Sequence, residues 1–123
     1  MAEYTIKHLD EFDYYKGEGE EPGIRFIYAG KGLGVTAWGM NVIRMEPNCS
    51  SYPEHDHVAD GQEEVYIILK GQVKFKAGED ESELEQGMFV RVGPAQKRKF
   101  STGVEGATIL AIGGTPGKAY PTK

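Results

Sequence analysis

Between Gly23 and Gly113 the apolar side chains of this chain recur at every second position, and 17 glycines and six prolines interrupt them before any segment reaches ordinary helix length. Such alternation sets one face of each segment against a core and the other against water, which is the pattern of β-strands. The expectation is an all-β fold of many short strands, closed as a sandwich or barrel. One segment breaks the alternation. Val65, Tyr66, Ile67, Ile68 and Leu69 are apolar or aromatic on both faces, so this strand is expected to be covered on both sides, by a second sheet, a partner subunit or both.

The remaining segments follow in order. Ile24, Phe26 and Tyr28 share one face of a first strand with Arg25 and Ile27 opposite, and Lys31-Gly32-Leu33-Gly34 reads as a glycine-rich turn. Residues 40–45 form a second strand, Pro47-Asn48 breaks the chain, and a third strand approaches His55 and His57. Asp60-Gly61 is a tight-turn dipeptide leading into the strand at 64–69. Lys70-Gly71 is expected to turn into a strand with Val73 and Phe75 inward, and residues 78–81 to form the next loop. Strands at 88–92, 99–102 and 107–112 are expected to be separated by Gly93-Pro94 and by Gly103-Val104-Glu105-Gly106. The first 20 residues carry little beyond a turn or edge strand near Ile6 to Phe12. The acidic run at 18–21 reads as a solvated loop, and Gly113 onward as a tail over the surface.

At 123 residues the chain has the size of one domain, residues 1–123. With 14 Lys and Arg against 19 Asp and Glu, its net charge of −5 argues against nucleic acid, whose recognition needs a clustered basic face. No apolar run approaches the roughly 20 residues that span a bilayer, and the start lacks a signal-peptide pattern, so a cytoplasmic protein without membrane contact is expected. Cys49 is the single cysteine, which excludes an internal disulfide and a multi-Cys zinc site. It reads as a buried structural thiol.

The chemistry-bearing stretch is His55-Asp56-His57 followed by Glu64. Residues two apart on a strand share a face, so the two imidazoles can converge while Glu54 and Asp56 point away. A carboxylate from a neighbouring strand, Glu64, completes a set of two His and one Glu. That set suits iron, manganese, nickel or zinc and leaves open positions for a substrate.

Here the sequence resembles the cupin family, whose first motif runs Gly-x5-His-x-His-x3-4-Glu-x6-Gly. His55-Asp56-His57 and Glu64 to Gly71 fit in order, but six residues separate His57 from Glu64, and Cys49 stands where the leading glycine is expected. The extra residues fall around Asp60-Gly61, where insertion is cheap. The second motif, Gly-x5-Pro-x-Gly-x2-His-x3-Asn, corresponds to the stretch from Gly87 to Thr102. Pro94 is one place late, Ala95 replaces the second glycine, Arg98 stands at the third histidine and Thr102 at the asparagine. The resemblance covers residues 38–113 and implies a jelly-roll barrel, a double-stranded β-helix with its pocket inside, flanked by an N-terminal extension and a C-terminal tail. It also implies pairing into a homodimer through exposed sheet edges. Cupins include dioxygenases, isomerases, epimerases, decarboxylases and non-catalytic binding modules, so the fold leaves the reaction open.

Lys97 and Lys99 alternate with Arg98, so if the lysines face water then Arg98 points into the barrel and needs a partner. Two arrangements follow. In the first, His55, His57 and Glu64 hold a divalent metal, and Arg98, with Gln96 and Tyr66, binds a small acidic organic ligand. In the second, Arg98 pairs with Glu64, and the pocket is a metal-free ligand-binding or structural one. A third reading is a metal-free epimerase or isomerase with His55 or His57 as general base. His8 lies outside the constellation and reads as a surface residue. Trp38 and Phe89 are expected in the core or an interface.

Overall fold

A computed structural model describes residues 3–17 and 21–121. The acidic run expected to form a loop falls largely at 18–20, outside the described residues. Among the described residues six antiparallel strands make the fold: β1 (Ile24–Ile27), β2 (Gly39–Met45), β3 (Glu63–Ala77), β4 (Asp80–Glu85), β5 (Phe89–Val92) and β6 (Lys99–Gly114). They are ordered β1-β2-β6-β3-β4, and β5 adds to β3. One short helix, α1 (Ala29–Leu33), follows β1, and a single 3-10 turn spans Leu9–Glu11. No helix among the described residues is long and apolar enough to cross a membrane.

The two long strands β3 and β6 are the spine, paired from Glu63↔Gly114 to Lys76↔Lys99. The expected turn at Lys70-Gly71 and the expected loop at 103–106 are both absent: each segment stays inside its strand. Register shifts fall between Ile68 and Lys70 and between Gly71 and Val73. Gly71 and Gly106 hold φ values of +81° and +68° there, and a Cβ on Gly71 would collide with the Gly106 carbonyl. The glycines therefore mark a paired bulge that bends both strands together without ending them. Two further corrections are local. The Lys31 to Gly34 stretch lies in α1 and its cap, with Gly34 in the left-handed conformation that stops a helix. Residues 80 and 81 belong to β4, joined to β3 by the two-residue Gly78-Glu79 hairpin.

Alternation then fills two clusters. Inside the bent sheet lie Ile43, Met45, Tyr52, Tyr66, Ile68, Val73, Phe75, Leu84, Val92, Phe100 and Ile109, with Cys49 as a buried free thiol. Outside it Ile27, Ala29 and Val42 pack under Leu9, Phe12 and Tyr14, so the N-terminal segment covers the β1–β2 end. Within the single chain, the inner face of 65–69 is covered and the outer face only in part. Tyr66 and Ile68 are buried, Val65 and Ile67 are half-buried, and Leu69 is exposed. Phe89, on the neighbouring strand, is 69% exposed and Trp38 45%, so neither belongs to the core of the single chain.

Candidate metal centre

The site stands where an extended segment crosses the inner face of the sheet. His55 is no part of a regular strand; it makes one isolated bridge to Arg98. The two residues exchange both backbone bonds, His55 N–H to Arg98 O at 3.2 Å and Arg98 N–H to His55 O at 2.9 Å. Directly paired residues on antiparallel strands project to the same face, so this bridge aims Arg98 inward beside His55. His57 N–H donates to Pro94 O at 2.8 Å and fixes the next inward position. Glu64 enters from β3, between β5 and β6, opposite Val92 and Gly113. A Cβ on Gly113 would meet the Glu64 side chain at 3.0 Å, so glycine there leaves room for the carboxylate.

These elements bring one ligand atom each of His55, His57 and Glu64 within 4.8 Å of one another. The imidazoles are oriented from behind. His55 Nδ1 lies 3.0 Å from Pro53 O, and His57 Nδ1 lies 3.1 and 3.2 Å from the two carboxylate oxygens of Asp60. Carbonyl and carboxylate oxygens only accept, so Nδ1 carries a proton in both rings, and in the neutral imidazole Nε2 has its lone pair free for a ligand. His57 Nε2 is buried, 3.1 Å from Glu64 Oε1, and off hydrogen-bond geometry with it. An imidazole lone pair facing a carboxylate oxygen at that distance is repulsive until a cation enters between them. Two neutral imidazoles and a carboxylate form a facial donor set for a divalent metal, and this orphaned nitrogen is the feature of the fold that fits one.

Around the triplet the groups are tied together. Tyr66, fully inside the barrel, donates its hydroxyl to Glu64 Oε1 at 2.5 Å. Tyr52 lies alongside, its ring centroid 5.8 Å from that of His55. Burial pushes Tyr52 up to about 12, against the opposing influence of the Tyr66 hydroxyl. Burial pushes Tyr66 higher still, reinforced by the neighbouring Tyr52 and Glu64. Both remain neutral donors at physiological pH. Desolvation works to raise Asp60, but hydrogen bonds from the Gln62 N–H and from His57 outweigh it and hold the carboxyl below its ordinary value.

Arg98 has no exposed surface. Its NH2 donates to Gly93 O at 3.1 Å and stands 4.0 Å from Glu64 Oε1, while Nε and NH1 find no partner among the described residues. The inward direction expected from the alternation holds. The ion pair with Glu64 is at the outer limit of contact, and two of the three guanidinium nitrogens are left over. Gln96 does not join the group: it is exposed, and its amide donates to Lys97 O. His8 is a surface residue, as expected, and caps the 3-10 turn through its Nδ1. Tyr52 carries no motif in the sequence, and Asp60 figures there only as a turn residue. Both are part of the site, and six residues between His57 and Glu64, where the resemblance expects three or four, were the available sign for Asp60.

A larger open groove of about 1100 Å³ involves Lys16, Arg25, Arg44, Glu46 and Lys70 and none of the triplet. Its mixed charges are solvated and largely exposed, so the chemistry rests with the buried, under-satisfied groups.

The comparisons agree on the fold. A cupin protein from Bacteroides fragilis superposes with a TM-score of 0.72 at 18% identity, covering 100% of this chain and 93% of that one. A sugar phosphate isomerase from a cupin superfamily, from Silicibacter pomeroyi, gives 0.74 at 19% identity over 89% of this chain and 74% of that one. The Fe(II) form of HppE gives 0.69 at 17% over 89% of this chain and 60% of that one. No family model and no curated protein matches the sequence. The chain has the cupin fold, and within it His55, His57 and Glu64 stand close enough together to hold a metal ion.

Proposed function

We propose that this protein is a small-molecule-binding cupin in which His55, His57 and Glu64 hold a divalent cation of the iron, manganese, nickel or zinc group, and Arg98 takes the acidic group of a small organic ligand beside it. The observation that carries the proposal is that two sets of buried polar atoms lack partners in one place: His57 Nε2, which calls for a cation, and Arg98 Nε and NH1, which call for an anion. Unpaired groups of this kind cost several kcal/mol in aggregate, on the order of 1–3 each, and a ligand that pairs them recovers it. A bound metal would supply a Lewis acid to the ligand. The chain's own residues do the rest. Tyr66 holds the Glu64 carboxylate in place, Pro53 O and Asp60 fix the two imidazole tautomers, and the planar guanidinium orients an acid group through parallel hydrogen bonds. Relatives in fold described as a sugar phosphate isomerase and an Fe(II) protein are in keeping with an anion handled beside a metal.

The 4.0 Å approach of Arg98 to Glu64 favours a second arrangement, in which that pair alone balances the charge and the pocket binds an acid without metal. Calorimetric titration with malonate, against a neutral diol of the same length, separates the two. Malonate binding that disappears on chelation and returns with metal is the expected result. Binding unchanged by chelation would assign the metal-free arrangement, and binding to neither would remove the acidic ligand from the proposal.

A further inference from the structure

The first four of the six residues between His57 and Glu64 form the turn at 58–61, closed by Gly61 N–H donating to His57 O at 2.8 Å, with Gly61 in the left-handed conformation. This turn returns a carboxylate to the imidazole it leaves from. Both oxygens of Asp60 lie within 3.2 Å of His57 Nδ1. They are themselves held: Gln62 N–H donates to Oδ1 at 3.2 Å and Gln62 Nε2 to Oδ2 at 3.0 Å. The turn's backbone is anchored to the end of β6, where Thr115 Oγ1 donates to Asp60 O at 2.8 Å. A side chain 48% exposed would ordinarily sample many rotamers; these contacts fix this one.

We propose that Asp60 is a positioning residue for His57: its carboxylate accepts the Nδ1 proton, sets the tautomer, and leaves the Nε2 lone pair directed at the ligand set. The longer spacing between His57 and Glu64 is thereby part of the site. His57 has an alternative that makes the role necessary. With the proton on Nε2, the ring could turn to donate to Glu64, 3.1 Å away, and the metal-binding nitrogen would be lost. A carboxylate behind a metal-binding histidine orients the ring and raises its basicity, and its loss weakens metal affinity by roughly 10–100-fold.

The affinity part rests on the metal site proposed above; the tautomer part does not. The test uses full-length protein in two variants, Asp60→Ala and Asp60→Asn, read first by nitrogen-15 NMR of the imidazoles without metal. His57 is expected as the Nδ1–H tautomer in the wild type and in Asp60→Asn, whose amide oxygen still accepts, and shifted toward Nε2–H in Asp60→Ala. Titration with Mn²⁺ is then expected to show a loss of roughly 10–100-fold for Asp60→Ala, partly recovered by Asp60→Asn. An unchanged tautomer in Asp60→Ala overturns the proposal whether or not the wild type binds metal. A tautomer that shifts in Asp60→Ala while the wild type takes up no metal would sustain the role of Asp60 and sink the metal site instead. Should Asp60→Ala not fold, Gln62→Ala carries the same readouts. Full Nδ1–H occupancy with undiminished metal affinity in Gln62→Ala, whose Asp60 clamp is removed, would then count against the proposal.

Discussion

Arg98→Met binds a divalent cation more tightly than the wild type, by roughly two powers of ten or more. A unit positive charge about 5 Å from a cation, at an effective dielectric of about 20, costs roughly 3 kcal/mol even for a monovalent ion, and each factor of ten is about 1.4 kcal/mol. Arg98 is the charge in question, with no exposed surface and its NH2 4.0 Å from the Glu64 ligand oxygen. Methionine keeps most of the apolar length, so the barrel wall stays filled while the charge goes. The same variant loses the acidic ligand, since the unpartnered Nε and NH1 that would bind it are gone. Arg98→Lys keeps a charge without the planar fork, and is expected to hold metal as weakly as the wild type while binding malonate poorly. Titration with Mn²⁺ followed by calorimetry checks both. Equal metal affinities in wild type and Arg98→Met would show that the guanidinium does not bear on the triplet.

Phe100→Ala is the largest expected loss of stability. Phe100 is fully buried, and its ring lies 5.2 Å from Tyr52, 4.8 Å from Tyr66 and 5.3 Å from Phe75, centroid to centroid. Removing a buried aromatic ring costs about 3–5 kcal/mol, a large share of the roughly 5–15 kcal/mol by which domains are stable. The loss reaches the site because Phe100 packs against Tyr66, whose hydroxyl holds Glu64, and against Tyr52 beside His55. Urea unfolding monitored by circular dichroism measures it, and a change below about 1 kcal/mol would mean that the cavity collapses without cost.

How far the sequence predicts this molecule depends on what each feature needs. The period of two was enough for the sheet, because burial on one face imposes it on every strand. His55, His57 and Glu64 came together as expected although no regular strand carries the histidines, since an extended chain has the same period. Arg98 pointed inward for the same reason. Glycine was the main source of error. At Lys70-Gly71 and at 103–106 it permits either a turn or a bulge, and only the partner strand decides which. β4 went unseen because Leu84 is its one buried residue; an edge strand of acids and serine looks like a loop. Gln96 fell outside the site because its side chain turns out to solvent and its amide donates back to Lys97 O. Asp60 was out of reach because its role depends on how a turn closes, which spacing suggests and only coordinates fix.

The most direct test of the metal site is elemental analysis of untagged protein purified without chelator, with His57→Ala alongside and folding verified for both. The account predicts a stoichiometric divalent metal in the wild type and its loss in the variant, whose missing Nε2 is the orphaned donor of the site. A folded wild type that stays empty when offered iron, manganese, nickel and zinc in turn, or a variant that holds as much metal as the wild type, would contradict it.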